Sequence, residues 1–308
     1  MNKIIIVLLG LICVFNADAQ TLQEQRDKDE VISRLEVYDL KTKNHKVIHE
    51  FPYRIEAPNW TPDGKWFVYN SHGRLYKLSV ANPDSEPIMI DTKSAVGCNN
   101  DHVISPDGKW IGISDKWPSL VFCVPFEGGD PVQITDKGPS YLHGISPDGK
   151  ELAYCAFRGD KRDVYSKRLD GSEERNLTNA DGLNDGPEYA PNGKHIWFNS
   201  SRNGDMQIWR MNIDGTNQTK MTALPNLYAW FPHISPNGKW VCYICYHKQD
   251  LKADEHIPNK NVVLRLMKSN GKKDRTIIEL FGGQGTINVN SWAPDSKKFA
   301  YVSYELKK

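Results

Sequence analysis

The sequence predicts an all-β protein, a six-bladed β-propeller made of four-stranded antiparallel blades. Three observations predict it: a recurring six-residue turn motif, the spacing of its copies, and chain ends that complete one another. The motif reads SPDGKW at residues 105–110. Its six copies have prolines 44, 41, 44, 45 and 58 residues apart, at Pro62, Pro106, Pro147, Pro191, Pro236 and Pro294. Repeats of roughly 40 to 50 residues that hold four short strands are typical of propeller blades.

Each motif is predicted to form the turn between the first two strands of a blade. Proline presets φ, Asp or Asn bonds the backbone beyond it, and Gly supplies the positive φ of a tight hairpin. A large residue stands two positions before each proline, at Trp60, Ile104, Ile145, Tyr189, Ile234 and Trp292. An apolar second strand such as WFVYNS follows, then a third such as RLYKLSV and a fourth such as PVQIT. This order predicts an antiparallel meander.

The two ends of the chain are predicted to form the last blade together. Residues 34–40 and 46–51 have the pattern of third and fourth strands, with no first two strands before them. Residues 287–292 and 298–304 have the pattern of first and second strands, with no further strands after them. We therefore expect the N-terminal strands to close the last blade, which removes exposed sheet edges and fixes the number of blades at six.

Residues 1–19 are predicted to be a signal peptide that is not part of the fold. They combine Lys3, an apolar run at residues 4–15 and an A-x-A cleavage signal that ends at Ala19. We expect a periplasmic or secreted protein that is cleaved near Ala19. Residues 20–30 would then form a polar tail, and residues 31–308 a single propeller domain.

Composition excludes several classes of partner. The net charge of +1 argues against nucleic acid. No later segment has the roughly 18 unbroken apolar residues that a membrane span requires. We expect a monomer with no membrane span.

The hexamers resemble the TolB-type propeller repeat. The resemblance includes strand ends such as Ile134-Thr135, Leu177-Thr178 and Met221-Thr222, and it covers about residues 31–306. It implies the propeller fold and, as one possible function, the binding of a peptide from an envelope protein. TolB also carries an amino-terminal α/β domain, for which the residues before Arg34 leave no room.

The repeat is more distantly similar to that of oligogalacturonate lyases. Those enzymes hold manganese with histidines and a glutamine on their propeller. Their Q-x-x-H-x-H arrangement is absent here, because residues 228–233 keep only the last histidine, His233.

Topology predicts which face carries a site. In a four-stranded meander, the loop that enters strand one and the loop between strands two and three open on one face, opposite the Pro-Asp-Gly turns. The 58-residue spacing places an insertion in such a loop, at residues 246–261 of the fifth blade. Beside a channel mouth, this insertion could be a lid or binding loop, or an ordinary solvated loop.

Three histidines on this face are the candidate catalytic and metal-binding residues. His102 and His143 share one register in adjacent first strands, and His233 lies one position later. Together they could hold a divalent metal such as manganese or calcium, and a histidine could act as a base. The alternative is that each bonds a neighbouring blade or channel water.

Other residues on the same face are candidates for ligand binding. Arg158 and Arg202 could pair with uronic-acid carboxylates, with surface ion pairs as the alternative. Tyr141, Trp230 and Trp117 could stack on sugar rings. The full set is Asp101, Tyr141, Asp185, Trp230, Gln284, Arg158, Arg202, Trp117, His247 and His256.

Three functions remain open from the sequence. The favoured one is an exported propeller that binds an oligosaccharide or other small polar molecule in a funnel lined by His, Arg and Trp. The second is a metal-assisted carbohydrate-active enzyme, either an oligosaccharide lyase or a glycoside-cleaving enzyme. The third is an envelope scaffold that binds a peptide of a partner protein.

Overall fold

The computed structural model describes residues 24–115 and 118–308. Within these ranges lie 23 β-strands in six sheets, and a helical turn at residues 24–27. The sheets confirm the six-bladed all-β propeller. The predicted signal peptide with its cleavage site, and Trp117, lie outside the described residues.

The strands are distributed among the blades as consecutive meanders, except in the closing blade. The closing blade contains β1 (Val31–Asp39), β2 (His45–Phe51) and β23 (Lys298–Leu306). Blade 1 contains β3 (Glu56–Trp60), β4 (Trp66–Ser71), β5 (Arg74–Ser79) and β6 (Ile88–Ile90). Blade 2 contains β7 (Cys98–Ile104), β8 (Trp110–Asp115), β9 (Leu120–Pro125) and β10 (Val132–Gln133). Blade 3 contains β11 (Ser140–Ile145), β12 (Glu151–Arg158), β13 (Lys161–Arg168) and β14 (Arg175–Asn176). Blade 4 contains β15 (Asn184–Tyr189), β16 (His195–Ser200), β17 (Gln207–Asn212) and β18 (Thr219–Lys220). Blade 5 contains β19 (Leu227–Ile234), β20 (Trp240–His247), β21 (Pro258–Lys268) and β22 (Arg275–Gly283).

The closing blade joins both ends of the chain, as predicted. β1 pairs antiparallel with β23 from Val31 opposite Leu306 to Asp39 opposite Lys298. The predicted first strand at residues 287–292 is irregular, and it pairs with β23 only through a bridge at Trp292. The backbone N–H of Trp292 donates to the side-chain oxygen of Asn290 at 3.0 Å. Such a local hydrogen bond competes with the hydrogen bonds of a strand pair. The segment still occupies the inner position of the blade.

The repeated motif forms the turn that its composition predicts. In the second copy, Ser105 Oγ donates to Asp107 Oδ1 at 2.7 Å, and the N–H of Lys109 donates to the same oxygen at 3.1 Å. Gly108 has a φ of +71°, which favours glycine. The turn therefore fixes the hairpin between β7 and β8.

The inner strands of blades 1 to 5 share a feature that the sequence analysis missed, a β-bulge near the middle of each strand. The register shifts between Glu56 and Asn59, Cys98 and His102, Leu142 and Gly144, Asp185 and Glu188, and Trp230 and His233. A bulge leaves residues unpaired and re-aims their side chains. These bulges therefore decide which side chains enter the central channel.

The apolar core lies between adjacent blades. Between blades 1 and 2, for example, buried Val68 and Leu75 belong to one cluster with Ile111 and Ile113. Each fully buried aliphatic side chain contributes roughly 1.5–3 kcal/mol to stability. The channel residues are held by this rigid frame of packed blades.

The described part of the predicted tail packs against the ring. Asp29 Oδ2 accepts a hydrogen bond from the backbone N–H of Arg54 at 2.6 Å and lies 3.1 Å from His72 Nε2. The guanidinium of Arg26 lies 4.0 Å from the centre of the Tyr53 ring. Residues 24–30 thus contact blade 1 through ionic and cation–π interactions.

Candidate functional site

A cavity of about 250 Å³ lies at the channel mouth on the face opposite the Pro-Asp-Gly turns. We call it the central cavity. Its floor contains Asp101, His143 and Asp185, which come from the inner strands of three neighbouring blades. Each of these side chains is less than a tenth exposed, so the cavity encloses a buried group of ionisable residues.

The floor is organised around the imidazole of His143. Its Nε2 lies 3.3 Å from Asp185 Oδ1 and 3.7 Å from Asp101 Oδ1. Burial opposes the charged form of His143, but the two carboxylates outweigh this effect and raise its pKa. Burial also opposes ionisation of Asp185, yet His143 lowers the pKa of that carboxyl to about 2. The arrangement favours an imidazolium beside an ionised carboxylate.

Asp101 has a different environment from Asp185. Burial raises its pKa, and the nearby Asp185 carboxylate adds to that effect. Its oxygens accept hydrogen bonds from the side-chain amides of Asn99 and Asn288, each at 2.6 Å. Asp101 is therefore held in a fixed orientation at the cavity floor.

Phe231 is a lining residue that the sequence analysis missed. Its ring stacks on His143 with the centroids 5.4 Å apart and the planes 19° apart. It lies in the bulge of β19 with a φ of +50°, and its backbone N–H donates to the side chain of Asn199 at 3.0 Å. The Phe-Pro pair inside a first strand was the sequence signal for this bulge, because proline cannot donate to a strand ladder.

The fifth-blade insertion covers the cavity. Residues 248–257, here called the capping loop, connect β20 to β21. The His256 ring lies 4.5 Å from the Trp230 ring, and its Nε2 lies 4.0 Å from Asp185 Oδ2. An ion pair of 3.1 Å between Arg162 Nη2 and Asp254 Oδ2 links the loop to blade 3. Burial lowers the pKa of His256 and so favours its neutral form.

The structure does not gather the three candidate histidines into a metal centre. His102 and His143 share a sequence register, but His102 pairs with Ile113 whereas His143 is the unpaired residue of its bulge. His102 is consequently fully buried, which lowers its pKa to about 4. Within residues 24–115 and 118–308, no group of three or more His, Cys, Asp or Glu side chains is arranged to hold a metal ion.

His233 connects three blades instead of lining the cavity. Its Nδ1 lies 2.8 Å from Glu188 Oε2, and its Nε2 donates to the carbonyl of Ile287 at 2.9 Å. The other Glu188 oxygen accepts from the backbone N–H of Ile234 at 2.6 Å and from the amide of Asn290 at 2.7 Å. This matches the alternative in which a first-strand histidine bonds neighbouring blades.

The candidate arginines also have partners within the protein. Arg158 Nη2 pairs with Glu174 Oε1 at 2.6 Å. The guanidinium of Arg202 lies 4.6 Å from the Trp209 ring centre and donates to Asn184. Their positions favour the alternative, partners within the protein, over the binding of uronic-acid carboxylates.

The remaining candidates divide between the cavity and the core. Tyr141 and Gln284 line the central cavity, together with Asp101, Asp185 and His256. Trp230 is fully buried, and its ring contacts the ring of His256. His247 ends β20 at the beginning of the capping loop.

A second, larger depression opens at the opposite end of the channel. We call this depression of about 370 Å³ the proline-ring funnel. The prolines of all six turn motifs line it, together with the large residues that precede them, Trp60, Ile104, Ile145, Tyr189, Ile234 and Trp292. His143 lines both depressions, so it lies between the two ends of the channel.

Fold and site together define a β-propeller with a buried carboxylate–imidazole centre beneath a capping loop. A family model described as the TolB beta propeller domain matches residues 139–276. An uncharacterized protein of Agrobacterium fabrum is 45% identical over 276 residues, which cover 88% of this chain and 92% of that protein. The chain belongs to the TolB-like β-propeller family.

Two further comparisons agree with this assignment. A solved structure from Agrobacterium tumefaciens, provisionally described as TolB, superposes with a TM-score of 0.86 at 44% identity, covering 90% of this chain and 99% of that one. The Tol-Pal system protein TolB of Francisella tularensis is 28% identical over 264 residues, which are 81% of this chain but 57% of that protein. The chain thus matches little more than half the length of that relative. In the described ranges, no helix is long and apolar enough to cross a membrane.

Proposed function

We propose that this protein binds a small polar molecule, or the end of an oligosaccharide, in the central cavity. The observation that carries the proposal is the group of Asp101, His143 and Asp185, which is buried yet lines an open cavity. Ionisable groups with shifted pKa values in a concave pocket are typical of functional sites.

The size of the cavity limits what it can hold. Pockets for drug-sized ligands measure roughly 300–1,000 Å³, and the central cavity, at about 250 Å³, lies below that range. One sugar ring or one chain end therefore fits better than a longer segment. Tyr141 and Phe157, whose rings lie 6.0 Å apart, provide apolar wall on which a ring can pack.

The capping loop supports binding within an enclosed space. Its contacts with Trp230 and Arg162 place His256 above the floor. The signal-peptide pattern of residues 1–19, with cleavage near Ala19, supports a periplasmic or secreted location.

A thermal-shift screen of neutral, acidic and amino sugars and other small polar molecules tests the proposal. A ligand that binds only the folded state raises the melting temperature with concentration. We expect at least one class to stabilise the wild type but not Gln284→Trp, which fills the cavity. The control is Gln133→Trp on the exposed strand β10. If no molecule stabilises the wild type, or every stabilising molecule acts equally on Gln284→Trp, the proposal is wrong.

The proline-ring funnel and the likeness to TolB favour a second candidate function, the binding of an envelope protein. The funnel offers an apolar surface at the end of the channel away from the capping loop. If it binds a partner, Ile104→Glu at the funnel should abolish capture of that partner, whereas Gln284→Trp should not. Equal capture by both variants and the wild type would contradict this second function.

A further inference from the structure

The central cavity has one more carboxyl group than it has cations. Arg162 pairs with Asp254 at 3.1 Å, so this pair is neutral. On the floor, the single imidazole of His143 faces two carboxylates, Asp101 and Asp185. The neutral form of His256, favoured by burial, adds no positive charge. One of the two floor carboxyl groups therefore has no cation of its own, which agrees with the raised pKa of Asp101.

Unpaired hydrogen-bond acceptors give an independent indication. Asn288 is almost fully buried, and its amide nitrogen donates to Asp101 Oδ1 and to the carbonyl of Asn100. Its amide oxygen, beside Asp101, is buried without a partner among the described residues. Asn59 has the same pattern, because its nitrogen donates to the carbonyl of Asn290 while its oxygen is unpaired, but it lines the proline-ring funnel and not the central cavity. In both residues the amide orientation is fixed by an acceptor, so the unpaired atom is the oxygen.

A buried acceptor without a donor is costly, and a ligand with several N–H groups bound at Asp101 brings donors next to Asn288. The aromatic ring of Tyr141 in the cavity wall also attracts a cation through its face, whereas Phe231 is stacked on His143. Among the described residues, no arginine is left to bind an anion there. Arg162 lines the cavity but is paired with Asp254, and Arg158 and Arg202 are held by Glu174 and Trp209. The charge of the cavity, its unpaired acceptor and its aromatic wall thus all favour a cationic ligand.

We infer that the group bound in the central cavity is an organic cation, an ammonium or guanidinium group, held by Asp101 and Asp185. This inference rests on the proposed function and specifies the chemistry of its ligand. The charge of this group is opposite to that of the uronic acid that the sequence left as one possible ligand of Arg158 and Arg202.

Titration calorimetry with probes of different charge tests the inference. Glucosamine, N-acetylglucosamine and glucuronic acid share a sugar ring and carry an ammonium, a neutral amide and a carboxylate. Ethylguanidinium serves as a cation without a sugar ring. Hydrogen bonds to charged groups correspond to roughly 10- to 100-fold in affinity. We expect the two cations to bind at least about 10-fold more tightly than the neutral and acidic sugars, and Asp101→Asn to remove this preference.

The control variant is Asp136→Asn, which removes an exposed carboxylate paired with Lys167 on the outside of the ring. It should bind the cations as the wild type does. If Asp101→Asn fails to fold, Asp185→Asn is used in its place with the same expectation.

The outcomes separate this inference from the proposed function. If glucuronic acid or N-acetylglucosamine binds as tightly as glucosamine, and Gln284→Trp loses this binding, the inference of a cationic ligand is wrong. The cavity nevertheless remains a binding site. Cation binding that survives both Asp101→Asn and Gln284→Trp overturns the inference, because the cations then bind elsewhere. If neither cation binds the wild type, the inference is wrong, and the proposed function is decided by the wider screen.

Discussion

The two ends of the central channel are built in different ways. The proline-ring funnel is formed by positions that all six repeats share, a proline and the large residue two places before it. The central cavity is formed by positions at which the blades differ, such as the bulged His143, Phe231 in its Phe-Pro pair, and the capping loop. The comparison shows that the repeat builds the frame, whereas the candidate site comes from departures from the repeat.

The largest effect on stability should come from the polar cluster around Glu188 at the funnel end. Glu188 lines the funnel, and its carboxylate accepts from Ile234 and Asn290 and contacts His233. Glu188→Ala leaves these buried donors without a partner, so we expect a loss of about 3–5 kcal/mol in the free energy of unfolding, measured by urea titration. The exposed Glu86→Ala is the control. A loss below about 1 kcal/mol would mean that blade packing, and not this cluster, stabilises the funnel end.

The pH dependence of stability should separate the cavity from the turns. Asp185 has a pKa of about 2 in the folded protein against an ordinary 3.8, so its contribution is present above 3.8 and is lost as pH falls towards 2. This contribution is roughly 2 kcal/mol. The pKa of His143 is raised, so its contribution is present below 6.5 and is lost as pH rises.

We therefore expect the contribution of this pair to be greatest between pH 3.8 and 6.5. His102 and His256, whose pKa values burial lowers, change total stability in the opposite direction, so the contribution of the pair is measured as the difference between the wild type and Asp185→Asn. Urea unfolding between pH 2 and 6.5 should show a smaller loss of stability below pH 3.8 for Asp185→Asn than for the wild type, because the variant has no carboxyl group to protonate there. Asp101 and neutral His256 cannot replace its pairing with His143. Asp136→Asn should keep the wild-type profile. An acid limb that is unchanged in Asp185→Asn would show that this carboxylate is not coupled to His143.

A smaller effect is expected at the turn face. Asp107→Ala removes the acceptor for Ser105 and for the Lys109 N–H, which should cost about 1 kcal/mol of unfolding free energy. Ligand binding in the cavity should not change, whereas Asp185→Asn should weaken it. Calorimetry on both variants makes the comparison, and weaker binding by Asp107→Ala would contradict the separation of the two ends.

The smallest effect on stability is expected at the capping loop. Arg162→Ala removes the ion pair with Asp254, whose side chains are 35% and 40% exposed, so the loss should be within about 1 kcal/mol. The effect should instead appear as faster hydrogen exchange in residues 248–257 and faster ligand release. Arg168→Ala, which removes a surface pair with Asp170, is the control. Unchanged exchange would mean that the loop is held by its ring contacts alone.

The sequence alone predicted the features that follow from the repeated motif, namely its turns and the pairing of strands into blades. The turn at Asp107 and the pairing of β1 with β23 follow from local turn chemistry and from counting strands. The channel residues could not be assigned in this way, because a bulge shifts the side chains without changing the strand pattern. His102 and His143 are equivalent in the sequence, yet one is paired and buried and the other enters the channel.

The lining of the central cavity could be predicted only in part, because the bulges are not visible in the strand pattern. Asp101, Asp185 and His256 were predicted on the correct face, since loop topology alone decides the face. Phe231 was not predicted, because its position depends on a positive φ that a non-glycine residue seldom adopts. The partners of Arg158 and Arg202 depend on side-chain packing, about which the repeat carries no information.

The closing blade also determines the order in which strands can pair while the chain is being synthesised. Arg34 on β1 bonds Glu305 on β23, a residue 271 positions later in the chain. β1 and β2 are therefore synthesised early but cannot complete their sheet until the last strand has emerged. Contacts between such distant residues form slowly, and an unpaired strand edge is prone to pair with other chains. During that interval the newly made protein depends on whatever keeps β1 from a wrong partner.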